Sequence, residues 1–213
     1  MAEGDLSSPS LADDLYFVMH DNGTGQPRLH PRLASIGLAG AVLGELMLAE
    51  RVTVELASGQ DRLHVLASDA TGEPLTQNVL DQIVAEPQHP LHTWLLFFAR
   101  TIYADLRSRM IAANLLHPPG RSLLKQQPAA PVDSNTAAWP RARLTLAIQR
   151  RRPPALRDCV LYGLCVATGC DQQALWEHDR EFQAAATAIL PVPFRRLVVQ
   201  TEVAIGEVVI SRR

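Results

Sequence analysis

The chain has 213 residues, 47% of them hydrophobic and 20% charged, which is enough for one sizeable domain and excludes a disordered or fibrous protein. Its formal net charge of −2 hides a segregation: residues 1–99 hold 4 basic and 13 acidic groups, residues 100–157 hold 11 and 2, and residues 158–213 hold 5 and 7. A middle third this basic points either to an anionic partner for one face or to internal pairing with the acidic first third, and composition leaves both open.

Residues 1–10, MAEGDLSSPS, read as a disordered tail, and the domain is expected over 11–213. The tail carries Glu3 and Asp5, and no apolar run precedes Leu11. No signal peptide is therefore read, and a cytoplasmic setting is expected. Leu11–His20 reads as a short helical turn leading into an apolar strand, with Leu15, Phe17 and Val18 inward. Asp21-Asn22-Gly23-Thr24-Gly25 is a turn cluster. Its glycines do not make a nucleotide loop, because position 28 is Arg and no helix starts there.

Leu33–Leu56, LASIGLAGAVLGELMLAERVTVEL, is the organising stretch. Up to Ala49 its only ionisable side chain is Glu45, so the helix is enclosed nearly all round. Gly37, Gly40 and Gly44 each weaken a helix by about 1 kcal/mol, which neighbours needing close approach would offset. A membrane span is disfavoured by length, by Glu45 and by the closing Glu50-Arg51.

Val52–Leu56 and Arg62–Ala67 alternate on either side of Ser58-Gly59-Gln60-Asp61, a hairpin signature. Thr76–Glu86 has helical periodicity and stops at Pro87. Leu91–Leu116 continues helical with a break near Arg100; Tyr103, Leu106, Met110 and Leu115 face inward, and Arg100, Arg107 and Arg109 lie nearer the surface. His117-Pro118-Pro119-Gly120 ends it. A Pro-, Gln- and Ala-rich excursion from Arg121 to Pro140 reads as a loop or weak hairpin, with Leu123-Leu124 its only apolar pair before Val132.

Arg141–Arg152 is a short basic helix, Leu156–Cys170 a nearly all-apolar one, and Asp171–Ile189 an amphipathic one. Thr201–Ile210 is consistent with a terminal helix packing Val203, Ile205, Val208 and Val209. The fold class is thus mainly α: a single compact domain around a central buried hydrophobic helix, with a β-hairpin and a loop excursion.

Chemistry-bearing motifs are sparse. No GxSxG, HExxH, DFG or EF-hand spacing occurs. His89 and His92 flank Pro90 and do not present two ligands on one helix face, so no metal and no cofactor is expected. Cys159, Cys165 and Cys170, an odd number without a CxxC pair, read as small buried hydrophobes. Glu177, Asp179 and Glu181 around His178 read as a solvated helix face. Helix 141–152 has too little aromatic interleaving for a nucleic-acid surface, and none is expected. The chain is not read as an enzyme.

The segment IGLAGAVLGELMLAERVTVE resembles the "GL-x-G-x-x-L-x-EL-x-L-x-G-R-x-x-x-E" stretch of the Golgi phosphoprotein 3-like family. LHVLASDATGEPLTQNVLDQIV, LHTWLLFFA, LRSRMIAANLL and LRDCVLYGLCVATG follow in the family's order, so the resemblance covers roughly residues 11–210. Arg supplies 19 of the 20 basic residues, which fits a GC-rich, bacterial member.

The resemblance implies a peripheral membrane protein that binds phosphatidylinositol 4-phosphate or another anionic phospholipid headgroup on a basic face, at the inner face of the membrane. It implies headgroup contacts at the positions of His30, Arg107 and Arg109, and membrane contact and self-association from Leu123 and Leu124, which fall at the family's apolar hairpin tip; Arg32, Arg100 and Arg121 are read as completing a basic face for anionic headgroups. His30 stands where eukaryotic members have Trp, and Ala39 and Ala104 where they have Arg. The other reading is a protein-interaction scaffold that keeps the fold without the lipid pocket.

Overall fold

The computed structural model describes residues 10–118, 128–150, 155–174 and 180–210. At its centre is α2 (Pro31–Leu48), opened by Pro31 and by His30, whose ring accepts the Arg32 amide. Twelve of its 18 residues are buried. Of the described helices it alone is long and apolar enough to cross a membrane, but 72% of it lies inside the protein.

Its glycines explain how three helices reach it. A Cβ on Gly37 would stand 2.5 Å from Thr168 Cγ2, one on Gly40 2.8 Å from Thr201 Oγ1, and one on Gly44 2.8 Å from Leu11 Cδ2. Those neighbours belong to α1 (Leu11–Val18), α7 (Leu156–Thr168) and α10 (Val192–Ile210). Hydrogen atoms in place of methyls let these helices close on α2, and the contact offsets the weakened helix propensity.

The expected strand within Leu11–His20 is absent, since α1 is helical to Val18. Ser10 and Asp13 form a reciprocal capping box, and every residue of α1 is buried. Burial on all sides removes the polar face that would have revealed a helical period, so Tyr-Phe-Val looked like a strand.

The expected hairpin is present as β1 (Val52–Ala57) and β2 (Gln60–Val65), antiparallel with Val52 opposite Val65 and Ala57 opposite Gln60. Ser58 and Gly59 both have positive φ, 52° and 78°, the left-handed pair that matches a two-residue turn to the strand twist. Then come α3 (Pro74–Ala85), α4 (Leu91–Phe98) and α5 (Ile102–Ala112); the break near Arg100 falls where expected.

The basic helix begins earlier than its sequence suggested. α6 spans Ser134–Arg150 and runs through Pro140. Asp133 accepts the amides of Asn135 and Thr136 at 3.1 and 2.9 Å, and Ala137, Pro140, Leu144 and Ile148 are buried as one stripe. Capping and burial outweigh the hydrogen bond lost at the proline.

Asp171–Ile189 divides into α8 (Asp171–Ala174) and α9 (Arg180–Ile189), and His178 with Glu177 and Asp179 lies outside the described residues. α10 starts nine residues before the expected Thr201. Its seam is Phe194, Leu197, Thr201, Ala204 and Ile205. Ile205 is therefore inward as expected, whereas Val203 and Val209 face solvent at 45% and 50% exposure. Cys159, Cys165 and Cys170 are buried thiols.

Candidate functional site

The expected face involves α5 and the loop before α2. Arg107 and Arg109 are two residues apart on α5, roughly 200° round the helix, and they serve different ends. Arg109 was expected near the surface, but its side chain is only 12% exposed. Its guanidinium reaches Asp13 at 2.9 Å, Glu45 at 3.1 Å and Glu73 at 3.4 Å and also donates to Ser10 Oγ. Burial works against its charge, and Glu45 and Asp13 overcome that, raising its pKa. Glu45, the one acidic group of the central helix, is thereby explained; it also accepts the Ala12 amide at 2.7 Å.

Arg143 on α6 and Arg157 on α7 similarly converge on Asp14, at 3.0 and 2.7 Å. Burial pushes the Asp14 carboxyl up to about 6, against the pull of both arginines. Arg143 also meets Asp158 at 2.7 Å. Part of the basic third is thus spent internally on acidic partners, chiefly from the first third.

Arg107 is not. It is half-buried, and it takes part in no ion pair among the described residues; its Nε is buried with no hydrogen-bond acceptor. Its surroundings are aromatic. His20 donates from Nδ1 to the Tyr16 carbonyl at 2.6 Å, so its Nε2 must accept the Tyr103 hydroxyl, also at 2.6 Å. The His20 and Tyr16 rings stack with centroids 3.9 Å apart.

Burial lowers His20 to about 4, with the positive charges of Arg107 and Arg28 acting in the same direction. Arg28 donates to the His20 carbonyl at 3.2 Å and meets Asp21 at 3.5 Å. The fold therefore gathers Arg107 and Arg28 around one neutral, buried histidine.

His30 and Arg32 are exposed at the start of α2, two and four residues beyond Arg28. No acidic residue occurs in the first turn. The helix amides there are occupied, with those of Leu33 and Ala34 donating to the His30 carbonyl and that of Arg32 to its ring, so an anion would be met by side chains and not by free backbone donors. Arg100 is exposed between α4 and α5. Like Arg107, Arg32 and Arg100 pair with no carboxylate among the described residues.

Arg121, Leu123 and Leu124 lie outside the described residues. Sequence reasoning missed Arg28, His20 and Tyr103. The signal was the turn cluster at 21–25, which returns the chain so that His20 and Pro27 form a β-bridge.

A cavity of about 760 Å³ lies elsewhere, between α3 and α5. Its ionisable lining is Glu73, Asp81 and Asp105 against Arg109, which is already engaged, so it repels anions. His89 and His92 contact different carboxylates, Glu86 at 2.8 Å and Glu207 at 3.1 Å. No cluster able to hold a metal ion occurs among the described residues.

The family model described as Golgi phosphoprotein 3 (GPP34) matches residues 11–204. No curated protein sequence gives a significant match.

Proposed function

The chain belongs to the Golgi phosphoprotein 3 (GPP34) family, and from that premise we propose a non-enzymatic adaptor that sits peripherally on the cytoplasmic membrane face and holds acidic phospholipid headgroups. The observation that carries this reading is Arg107: a half-buried cation that pairs with no carboxylate among the described residues. A cation held in place by packing and lacking an internal counter-ion is preorganised for an external anion. Arg28, Arg32 and Arg100 would add long-range attraction of about 1 kcal/mol each near an anionic surface, and His30 would line the rim. Arg109 would support the fold under this face without contacting lipid.

Liposome flotation tests the reading. Vesicles carrying phosphatidylinositol 4-phosphate or phosphatidylserine should recover the protein at low salt, and neutral phosphatidylcholine vesicles should not. Arg107→Ala removes one charge-assisted contact, worth about 1.5–3 kcal/mol, so affinity should fall by roughly 10- to 150-fold. Equal recovery on neutral and anionic vesicles overturns the lipid reading. Unchanged binding by Arg107→Ala moves the site elsewhere.

A further inference from the structure

The terminal helix α10 carries an apolar face that nothing among the described residues covers. Val192, Val199, Val203 and Ile210 are 51%, 51%, 45% and 73% exposed. At 100° per residue they fall within about 40° of one another, along a helix about 28 Å long. Gly206 lies on the same side, and a Cβ built there would meet nothing within 4 Å. No internal packing contact accounts for this glycine, unlike those of α2.

Two features of this face point to its occupant. The first is its spacing. Val192 and Ile210 stand nine residues either side of Thr201, and Val199 and Val203 two residues either side. A stripe with this internal symmetry matches itself when a second helix runs antiparallel, pairing Val192 with Ile210 and Val199 with Val203 twice over. That is an isologous two-fold contact, which closes on itself.

The second is charge. Arg195 and Arg196 lie in the first half of α10, and Glu202 and Glu207 in the second. This order is opposite to the one its own macrodipole favours. An antiparallel copy lays each basic half against the acidic half of the other, whereas a parallel copy opposes like charges. Arg196 and Glu207 have internal partners, Asp61 and His92, yet both remain partly accessible. The flanking carboxylates also disfavour an anionic bilayer as the covering surface.

We infer that the chain forms a homodimer through antiparallel pairing of α10 with α10 of a second copy, its two-fold axis passing level with Thr201. This surface is independent of the Arg107 face.

Analytical ultracentrifugation of the full chain tests it. The wild type should sediment at twice the chain mass, and Val199→Glu with Val203→Glu should sediment as a monomer with unchanged circular dichroism, since both side chains face solvent in the protomer. Cysteine cross-linking tests the direction. Val192→Cys mixed with Ile210→Cys should give a disulfide-linked dimer on mild oxidation, and Val192→Cys alone should not, because its two copies would stand roughly 27 Å apart.

A wild-type monomer at high micromolar concentration overturns the inference, as does a dimer that survives the double glutamate variant or a 192–192 cross-link. Loss of vesicle binding by the double variant with no change in mass would make the stripe a lipid contact instead.

Discussion

Replacing Arg109 with Ala should destabilise the protein severely while Arg107→Ala leaves it nearly intact. Arg109 is the sole cation within reach of Asp13 and Glu45 among the described residues, whose side chains are 9% and 12% exposed. Deleting one partner of a buried pair leaves uncompensated charge and costs about 3–5 kcal/mol. Glu73 is a third exposed and adds little once screened.

The consequence extends beyond the pair, because the same guanidinium holds Ser10 and Asp13, the capping box of α1, to Glu45 of α2. For a domain of this size each kcal/mol lowers the melting temperature by about 2–4 °C. Arg109→Ala should therefore melt roughly 6–20 °C below wild type, with a matching loss in urea titration. Arg109→Ala combined with Glu45→Gln should recover part of it, because the amide oxygen still accepts the Ala12 N–H while one orphan charge is removed. A loss below about 1 kcal/mol for Arg109→Ala, or a drop for Arg107→Ala of the same size, would refute the division of labour between the two arginines.

Gly40→Ala sets two effects against each other. Alanine improves helix propensity by about 1 kcal/mol, but its methyl would stand 2.8 Å from Thr201 Oγ1 and 3.2 Å from Leu164 Cδ2. Thr201 is held by its bond to the Leu197 carbonyl at 2.8 Å, and overpacking costs about 1–3 kcal/mol, so the melting temperature should fall; a rise would refute the close approach of α10 to α2. Burial of His20 gives a pH signature. Its folded-state pKa of about 4 lies below the unfolded value near 6.5, so the native state binds fewer protons between those limits, and this part of the stability, complete above 6.5, is lost as pH falls toward 4. Asp14, raised to about 6, acts with the opposite sign, its contribution being lost as pH rises from about 4 to 6. The stability gap between wild type and His20→Asn should accordingly narrow by about 2.5 kcal/mol from pH 7 to pH 4.5 in urea titrations, and a constant gap would show that His20 is not kept neutral by the fold.

The elements legible from sequence were those whose signals are local. The Gly-punctuated run of α2, the Ser58-Gly59 turn between alternating strands and the break near Arg100 each follow from backbone preference and a periodicity of a few residues. The family resemblance also rested on these stretches, and the match over residues 11–204 bears it out. Where burial is complete or asymmetric the local signal fails. α1 lost its period because all its faces are covered, and α10 was half hidden because its outward valines look like core residues until its seam is known.

Charge pairing was the least legible property. Composition showed an acidic first third and a basic middle but could not say whether they met. Arg109 finds Glu45, Glu73 and Asp13 across 64, 36 and 96 residues, and Arg143 finds Asp14 across 129. Sequence alone determined the central helix, the Ser58-Gly59 hairpin turn and the break near Arg100, because those depend on neighbours within a turn or two. Only the tertiary structure decided which arginines are neutralised and which meet no carboxylate among the described residues, because two residues along a helix point to nearly opposite sides and their partners come from distant parts of the chain.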